Sequence, residues 1–399
     1  MGFPHVIVIG AGLGGLCLAQ GLRRAGVDVT VYERDADPVA RQQGYRIHVN
    51  AEGRAGLAHN LPPNLYQLFL ATSGHVNPTM PLFDSDLNLL AGSLGRPDET
   101  PLVADRLTLR EILLTGIADA VRFGHPFTHY SVTDDDRVTA YFANGTSATG
   151  DVLVAADGIN SLVRQQYLPH ARVVDAGVRQ ITGKLPLTED TRELLDENMY
   201  GVFIPIIGPD RRFVGLGPVR HSEPIADAVA RLAPSATLHD VADYVALSFG
   251  CRAELMPRSD GELRAMTGIA LRDMVLGIIA DWHPRVREMI AHWDTGTVFP
   301  LTLRTSVPLA AWPTSRVTLL GDAIHAMTPG GGVGANTALR DAAGLTDALL
   351  DIAAGKPVEP RLAEYEAALR GYGFAAVRVS AANGVRVIGQ NPLPEVDSD

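Results

Sequence analysis

Short apolar runs followed by helical stretches recur at three places along the chain. His5 to Ile9 has the length and β-branched content of a buried parallel strand; Leu16 to Ala25 then divides into apolar and polar sides at helical spacing. Gly26 stops that helix, and Val27 to Tyr32 supplies a second strand. The same rhythm returns at Asp151 to Ala156, with a helix opening near Ser161, and at Arg316 to Leu320, ahead of a helix from Thr337 to Ile352. Between these units, Leu57 to Ala71 carries helical spacing and Asp105 to Leu114 opens an amphipathic helix. The runs Val121 to His125, Tyr130 to Thr133, Val138 to Phe142 and Ser147 to Gly150 alternate like a small antiparallel meander, with Asn144-Gly145 as a hairpin turn. Ser73 to Thr100 is rich in Pro, Gly, Asn and Asp, which suits hairpins or loops.

Residues 172–304 lose the strand–helix–strand rhythm. Gly201 to Gly208 and Arg212 to Val219 read as strands; Ile225 to Leu232, His239 to Phe249 and Pro284 to Trp293 read as helices. The pattern predicts an α/β fold: a Rossmann-type nucleotide domain with an inserted mixed β-sheet substrate domain and C-terminal helices. The nucleotide domain is expected in three parts, 1–72, 104–171 and 305–355, with the substrate domain inserted as 73–103 and 172–304. Residues 356–391 form a helical region that includes Leu362 to Leu369, and 392–399 is a polar tail expected to be disordered.

Chemistry concentrates where strands end. Gly10-Ala11-Gly12-Leu13-Gly14-Gly15 is a G-x-G-x-x-G arrangement joining the first strand to the first helix. In such a unit Gly10 makes the tight turn, Gly12 lets the backbone approach a pyrophosphate, and Gly15 lets helix and strand pack closely. The pyrophosphate sits on the free N–H groups of the helix, and Glu33, 18 residues past Gly15, can accept ribose hydroxyls. A carboxylate there argues for a dinucleotide without a 2′-phosphate and leaves NAD and FAD both open. Arg34 and Arg46, in the charged stretch that also holds Arg41 and Gly44, are candidates for a ribityl chain or a second nucleotide. Arg106, at the start of its helix, can reach a ligand phosphate or a polar ring edge. Asp157-Gly158 closes the second strand, with Ser161 and Arg164 in the turn beyond, and Gly321-Asp322 closes the third. Past Pro329, four glycines among Gly330-Gly331-Gly332-Val333-Gly334-Ala335-Asn336 leave N–H groups free at another helix start. Asp322 can hold a sugar-like hydroxyl. Arg211, Arg212, Arg220 and His221 are weaker candidates for substrate contact.

Composition narrows the classes. With 399 residues the chain exceeds one ordinary core, and 46% apolar against 20% charged residues is the balance of a soluble globular protein. A net charge of −11 argues against nucleic acid or an anionic membrane as partner. No stretch reads as a membrane span or a leader, and the protein is expected in the cytoplasm. Cys17 and Cys251 are far apart and form no C-x-x-C pair, which excludes a dithiol flavoenzyme of the disulfide reductase kind, and Cys17 reads as a small buried hydrophobe. The twelve histidines show no metal-ligand spacing, so no metal is expected. Two lysines against 32 arginines suggest a GC-rich genome, and by association a bacterial antibiotic-biosynthesis or antibiotic-modifying setting.

The glycine fingerprint with Glu33, Asp157-Gly158 with Ser161 and Arg164, Gly321-Asp322, and Arg106 with Leu109 and Leu113 occur in one order. Together they resemble the single-component FAD-dependent monooxygenases, the flavoprotein aromatic hydroxylases of the para-hydroxybenzoate hydroxylase fold. The likeness covers roughly residues 5–56, 104–171 and 305–350. In size the chain is closest to tetracycline-inactivating, salicylate-type and polyketide-tailoring members. It departs at Gly332-Val333-Gly334, where many members have Gly-Gln-Gly, while Asn336 and Asp341 fit.

The resemblance implies FAD held by Gly10, Gly12, Leu13, Gly14, Gly15, Glu33, Arg34, Arg46, Arg106, Asp157, Gly158, Arg164, Gly321, Asp322, Pro329, Gly332, Gly334, Ala335 and Asn336. It implies NADPH or NADH as transient reductant, and transfer of one oxygen atom from O2 to an aromatic or polycyclic small molecule through a flavin C4a-hydroperoxide. The cofactor carries that chemistry, so no catalytic side chain is singled out. Two rivals share the motifs: a flavin-dependent reductase of polycyclic or isoprenoid substrates, and a non-catalytic flavin-fold ligand binder. A halogenase is disfavoured, because the tryptophans Trp282, Trp293 and Trp312 are scattered and the first lysine is Lys184.

Overall fold

The computed structural model describes residues 4–37, 45–92 and 101–395. Arg41 and Gly44, and residues 93–100 and 396–399, lie outside the described residues; within the expected tail, residues 392–395 carry no regular structure.

Five parallel strands form the nucleotide sheet, in the order Val317–Leu319, Val152–Ala155, His5–Ile9, Asp28–Tyr32 and Val121–Arg122. The central strand pairs Val6 with Val152 on one side and with Val29 on the other. Its residues Val6, Ile7 and Val8 are fully buried in a core to which the helices Leu13–Arg24 and Gly334–Ala353 contribute along with Val138, Ala140 and Phe142 of a strand meander, whose Gly150 lies against Ile7. The meander at Phe127–Val132, Val138–Phe142 and Ser147–Gly150 has three strands. Val121–Arg122 is not its first strand; it pairs in parallel with Asp28–Tyr32 as the edge of the nucleotide sheet. A small antiparallel sheet of Arg46–Val49, Leu102–Asp105 and Gly74–His75 leads towards the second unit.

That second unit is a seven-stranded sheet: Asp294–Ser306, Val173–Pro186, Tyr244–Arg252, Phe213–Val219, Ile204–Ile207, Leu82–Asp84 and Leu89–Ala91. Helices Gly268–Ile278 and Pro284–Ala291 cover one face, where Ile181, Leu247, Phe249, Leu216 and Ile206 meet Leu271, Val275 and Met289. The helix expected at His239 to Phe249 is instead the strand Tyr244–Arg252. Val245, Leu247, Phe249 and Cys251 all point into the core, a period of two that outweighs the helical reading. The helix expected over Leu57 to Ala71 is two helices, Ala51–Asn60 and Pro63–Thr72, because Pro62 and Pro63 cannot continue the first one's hydrogen-bond ladder.

The chain closes with a 30-residue helix, Val358–Val387. Tyr365 donates its hydroxyl to the Leu319 carbonyl at 3.0 Å, and buried Glu366 accepts from Thr314 at 2.7 Å and Thr318 at 2.9 Å. Just beyond the helix, Asn391 N–H donates to Ala176 O at 2.8 Å and Arg252 donates to Gly389 O at 2.8 Å. The C-terminal segment therefore touches both sheets.

Candidate cofactor site

All three strand-end motifs meet at the carboxyl edge of the parallel sheet, the side on which α/β folds bind ligands. The glycines of the first motif do different jobs. Gly10 has φ +109°, and a Cβ there would lie 2.3 Å from Ala156 O; one at Gly15 would lie 2.2 Å from Gly10 O, and one at Gly14 2.6 Å from Leu320 Cδ1. Protein packing requires all three. Gly12 is different: its backbone is extended, at φ −77° and ψ −179°, and a Cβ would meet nothing within 4 Å. The space above Gly12 is open, beside a helix whose first residue Leu13 is buried and whose N-cap makes no side-chain hydrogen bond. The helix Gly334–Ala353 likewise starts without a side-chain cap, from the loop holding Pro329, Gly332 (φ +64°), Gly334 and Ala335. Two helix N-termini with free N–H groups suit a doubly charged phosphate bridge.

Around that space the acidic residues are held in place. Glu33 is buried; its Oε2 accepts from Ala11 N–H at 2.8 Å and its Oε1 from Asp35 N–H at 3.0 Å. Asp157 Oδ2 accepts from the Leu162 and Val163 N–H groups at 2.9 and 3.4 Å. Its Oδ1 is buried without a hydrogen-bond partner, and burial raises the carboxyl's pKa against the hydrogen bonds that lower it. A buried, unpartnered carboxylate oxygen calls for a donor from a ligand. Gly158 takes the left-handed φ of +76° that the turn needs. Asp322 is exposed and opens the short helix Asp322–His325, behind Gly321 at φ +60°. Gly321 N–H donates to Asp341 Oδ2 at 2.7 Å, and the same buried carboxylate bonds His325 Nε2 at 2.6 Å and accepts from the Tyr372 hydroxyl at 2.7 Å. Asp341 thus holds the turn that presents Asp322. Burial opposes the charge on His325, and the Asp341 and Asp322 carboxylates with a backbone hydrogen bond together outweigh it, so its pKa is raised.

Three expected contact residues serve the protein's own architecture. Arg164 is buried and donates to Ala323 O at 2.8 Å and Ile159 O at 3.0 Å, tying the second motif to the third; burial lowers its pKa. Asn336 accepts from Asn50 N–H at 2.9 Å and donates to His48 O at 2.9 Å, latching the glycine loop to the strand Arg46–Val49. Arg46 donates to Pro218 O at 3.2 Å and to Val202 O, lying against Gly217 of the second sheet. Its burial lowers its pKa to about 10. Arg34 is half exposed, 3.9 Å from Asp35. Arg106 opens the helix Arg106–Leu114, its N–H donating to Tyr45 O at 2.6 Å.

Sequence reasoning missed Arg110. One turn after Arg106, it is buried and donates from Nε to Ala11 O at 3.0 Å, steadying the glycine loop from below. It also missed the junction between the sheets. Asp105 Oδ1 caps the Arg106 helix by accepting from the Leu107 and Thr108 N–H groups at 2.9 and 3.1 Å. Its Oδ2 takes the Tyr244 hydroxyl at 2.8 Å and the Lys184 ammonium at 3.3 Å. Lys184 Nζ lies 4.1 Å from the Tyr244 ring centroid. Burial drives the Tyr244 phenol well above its ordinary range, reinforced by the adjacent carboxylate. The face of the second sheet turned this way carries Thr182, Lys184, Ala246, Ser248, Gly215 and Gly217, small and polar where the opposite face is aliphatic. Arg211 and Arg212 lie in the turn at the far end of that sheet, with Arg211 donating to Val385 O. Among the described residues no cluster of acidic, histidine or cysteine side chains could hold a metal.

Residues 278–380 match the FAD binding domain family, and residues 8–78 match the NAD(P)-binding Rossmann-like domain family. The FAD-dependent monooxygenase thnD of Trichoderma harzianum is 30% identical over 98% of this chain and 95% of its own length. The chain belongs to the FAD-dependent monooxygenase family. Within that family, the dual O-methyltransferase/FAD-dependent monooxygenase CTB3 of Cercospora beticola is 33% identical over 97% of this chain but 47% of its own length, so the chain spans about half of that relative. The crystal structure of an FAD-containing monooxygenase of Photorhabdus luminescens superposes with a TM-score of 0.82 at 32% identity, covering 97% of this chain and 99% of that one.

Proposed function

We propose that this chain is an FAD-dependent monooxygenase that takes electrons from NADPH or NADH and adds one atom of O2 to an aromatic or polycyclic small molecule. The observation that carries it is the open space above Gly12, set between uncapped helix N-termini and the unpartnered Asp157 Oδ1. Those residues fit a dinucleotide: the N-termini and the glycine loop would hold the pyrophosphate, Glu33 the adenosine ribose, Asp322 the ribityl chain, and Arg106 the ring edge. FAD bound there would supply hydride acceptance and oxygen activation.

The protein's part is placement and exclusion of water. Arg110, Asp341 and Arg164 hold the three motifs in register. The Asp105, Lys184 and Tyr244 clasp docks the second sheet over the site, where Arg46 and the Phe203 ring cover Gly217 and Gly215 and help to exclude water. A cytoplasmic setting is supported by the two buried thiols, Cys17 and Cys251, which are unpaired and whose pKa values burial pushes up to about 12 and about 11.

The test is NAD(P)H consumption under 18O2 with polycyclic phenols as probes. One 18O atom in the product per NAD(P)H consumed is the expected result. Substrate-dependent NAD(P)H oxidation that leaves every product unlabelled would overturn oxygen transfer in favour of a reductase.

A further inference from the structure

A cleft of about 340 Å³ opens away from the glycine motifs, lined by His75, Arg192, Arg220, His221, Ser222 and Asp243. We infer that it binds an anionic oxygen group, a phosphate or carboxylate, at the mouth of the junction between the two sheets.

The cleft is built rather than left over. Strand Gly74–His75 and the segment after Phe213–Val219 approach so closely that a Cβ at Gly74 would lie 2.1 Å from Arg220 O, and the Ser222 hydroxyl donates to Ser73 O. Every lining side chain is polar. His221 sits at the floor with 6% of its side chain exposed. Asp243 Oδ1 fixes it twice, accepting from its backbone N–H at 3.0 Å and meeting its Nδ1 at 3.3 Å. The other ring nitrogen, Nε2, is buried with no hydrogen-bond partner. With Nδ1–H directed at the carboxylate, a neutral ring presents Nε2 as an acceptor, which the hydroxyl of a hydrogen phosphate or carboxylic acid satisfies, and an imidazolium presents it as a donor to a ligand oxygen.

Charge points the same way. Arg220 is exposed and stacks at 4.6 Å on the Tyr200 ring, which fixes its plane and leaves its donors to the cleft; it has no carboxylate partner among the described residues. Arg192 reaches Asp243 Oδ2 at 3.5 Å. Two guanidiniums thus face one carboxylate, and that carboxylate is already engaged with His221.

The position suits one end of a longer molecule. His75 pairs with Leu102, and that strand runs on to Asp105, three residues or about 10 Å away at ~3.3 Å per residue. Asp243 directly precedes Tyr244, whose hydroxyl rests on Asp105. An anionic group in the cleft therefore leaves the rest of its molecule within reach of Lys184 and Arg106. Under the monooxygenase reading, that molecule is either the nicotinamide dinucleotide or an acidic substrate.

Calorimetric titration of the FAD-loaded protein with inorganic pyrophosphate at low salt tests the cleft directly and needs no turnover. Saturable binding is expected, weakened about tenfold by Arg220→Met and by His221→Phe, with the flavin spectrum unchanged. No binding, or binding that both variants retain, overturns the inference. Anaerobic flavin reduction then separates the sources. A tenfold rise in half-saturating NADPH and NADH for Arg220→Met, at an unchanged limiting rate, identifies the dinucleotide phosphates. Unchanged reduction kinetics alongside lost pyrophosphate binding identifies a substrate carboxylate. Failure of oxygen transfer leaves the titration standing, so the two readings fail separately.

Discussion

Gly12 differs from its neighbours in what a side chain there would meet, and that difference separates folding from ligand binding. Gly12→Val places its branched side chain in open space on extended backbone, so the thermal unfolding of the flavin-free protein should stay close to wild type. FAD retention should be lost, because that space is where a pyrophosphate must approach. Gly15→Ala drives a Cβ into Gly10 O and should instead destabilise the fold itself, by more than about 1–3 kcal/mol. Full flavin occupancy in Gly12→Val would contradict the site. Asp322→Ala offers a second check: the side chain is exposed, so the fold should persist while the yellow colour is lost on gel filtration.

His48 carries a titration at the same scale. Burial, and then the nearby Arg46 charge, lower its pKa to about 4, against a hydrogen bond with the Gly332 backbone that raises it. The native state therefore resists protonation relative to an unfolded chain with the ordinary value near ~6.5. The stability this gives is complete above about pH 6.5 and is lost as pH falls towards 4, amounting to no more than about 3 kcal/mol. His48→Gln should flatten that part of a plot of Tm against pH; an identical acid limb in the variant would remove His48 as its cause.

Among the elements, the helix Arg106–Leu114 shows how one carboxylate can serve two units. Asp105 caps its N-terminus with one oxygen and receives Tyr244 and Lys184 with the other. Asp105→Ala removes the cap and leaves Lys184 facing the junction unpaired, for an expected loss of about 3 kcal/mol, whereas Tyr244→Phe should cost about 1 kcal/mol. Urea unfolding of both variants measures the difference, and equal costs would mean that the hydroxyl rather than the ion pair holds the junction. The Arg106 helix and the three strand-end turns were legible in the sequence because their signals are local: an N-cap, glycines and apolar runs of strand length. Tyr244–Arg252 was misread because eleven residues from His239 offer apolar positions to either period, and only the neighbouring strands select alternation.

In the whole molecule, the C-terminal segment and the Asp105 junction join the two sheets, so unfolding should be a single cooperative transition. Calorimetry should give equal calorimetric and van't Hoff enthalpies; two resolved transitions would mean the sheets unfold independently. FAD at a hundred times its Kd should raise stability by about 2.7 kcal/mol, a Tm increase that Gly12→Val should abolish. Among the described residues no helix is long and apolar enough to cross a membrane.

The sequence by itself determined the α/β class and the strand-end turns that carry Glu33, Asp157 and Asp322. Each depends on residues close together along the chain, where hydrophobic period and glycine placement express directly what the backbone must do. Only the tertiary structure decided that Arg110 rather than a surface position steadies the glycine loop, and that Arg46 and Asn336 are spent on protein contacts. It alone brought Asp105, Lys184 and Tyr244 together, and built a polar cleft around His221. Those arrangements join side chains from separate strands and helices. A charged residue far from its partner in sequence looks like any solvated one until folding removes the water around it.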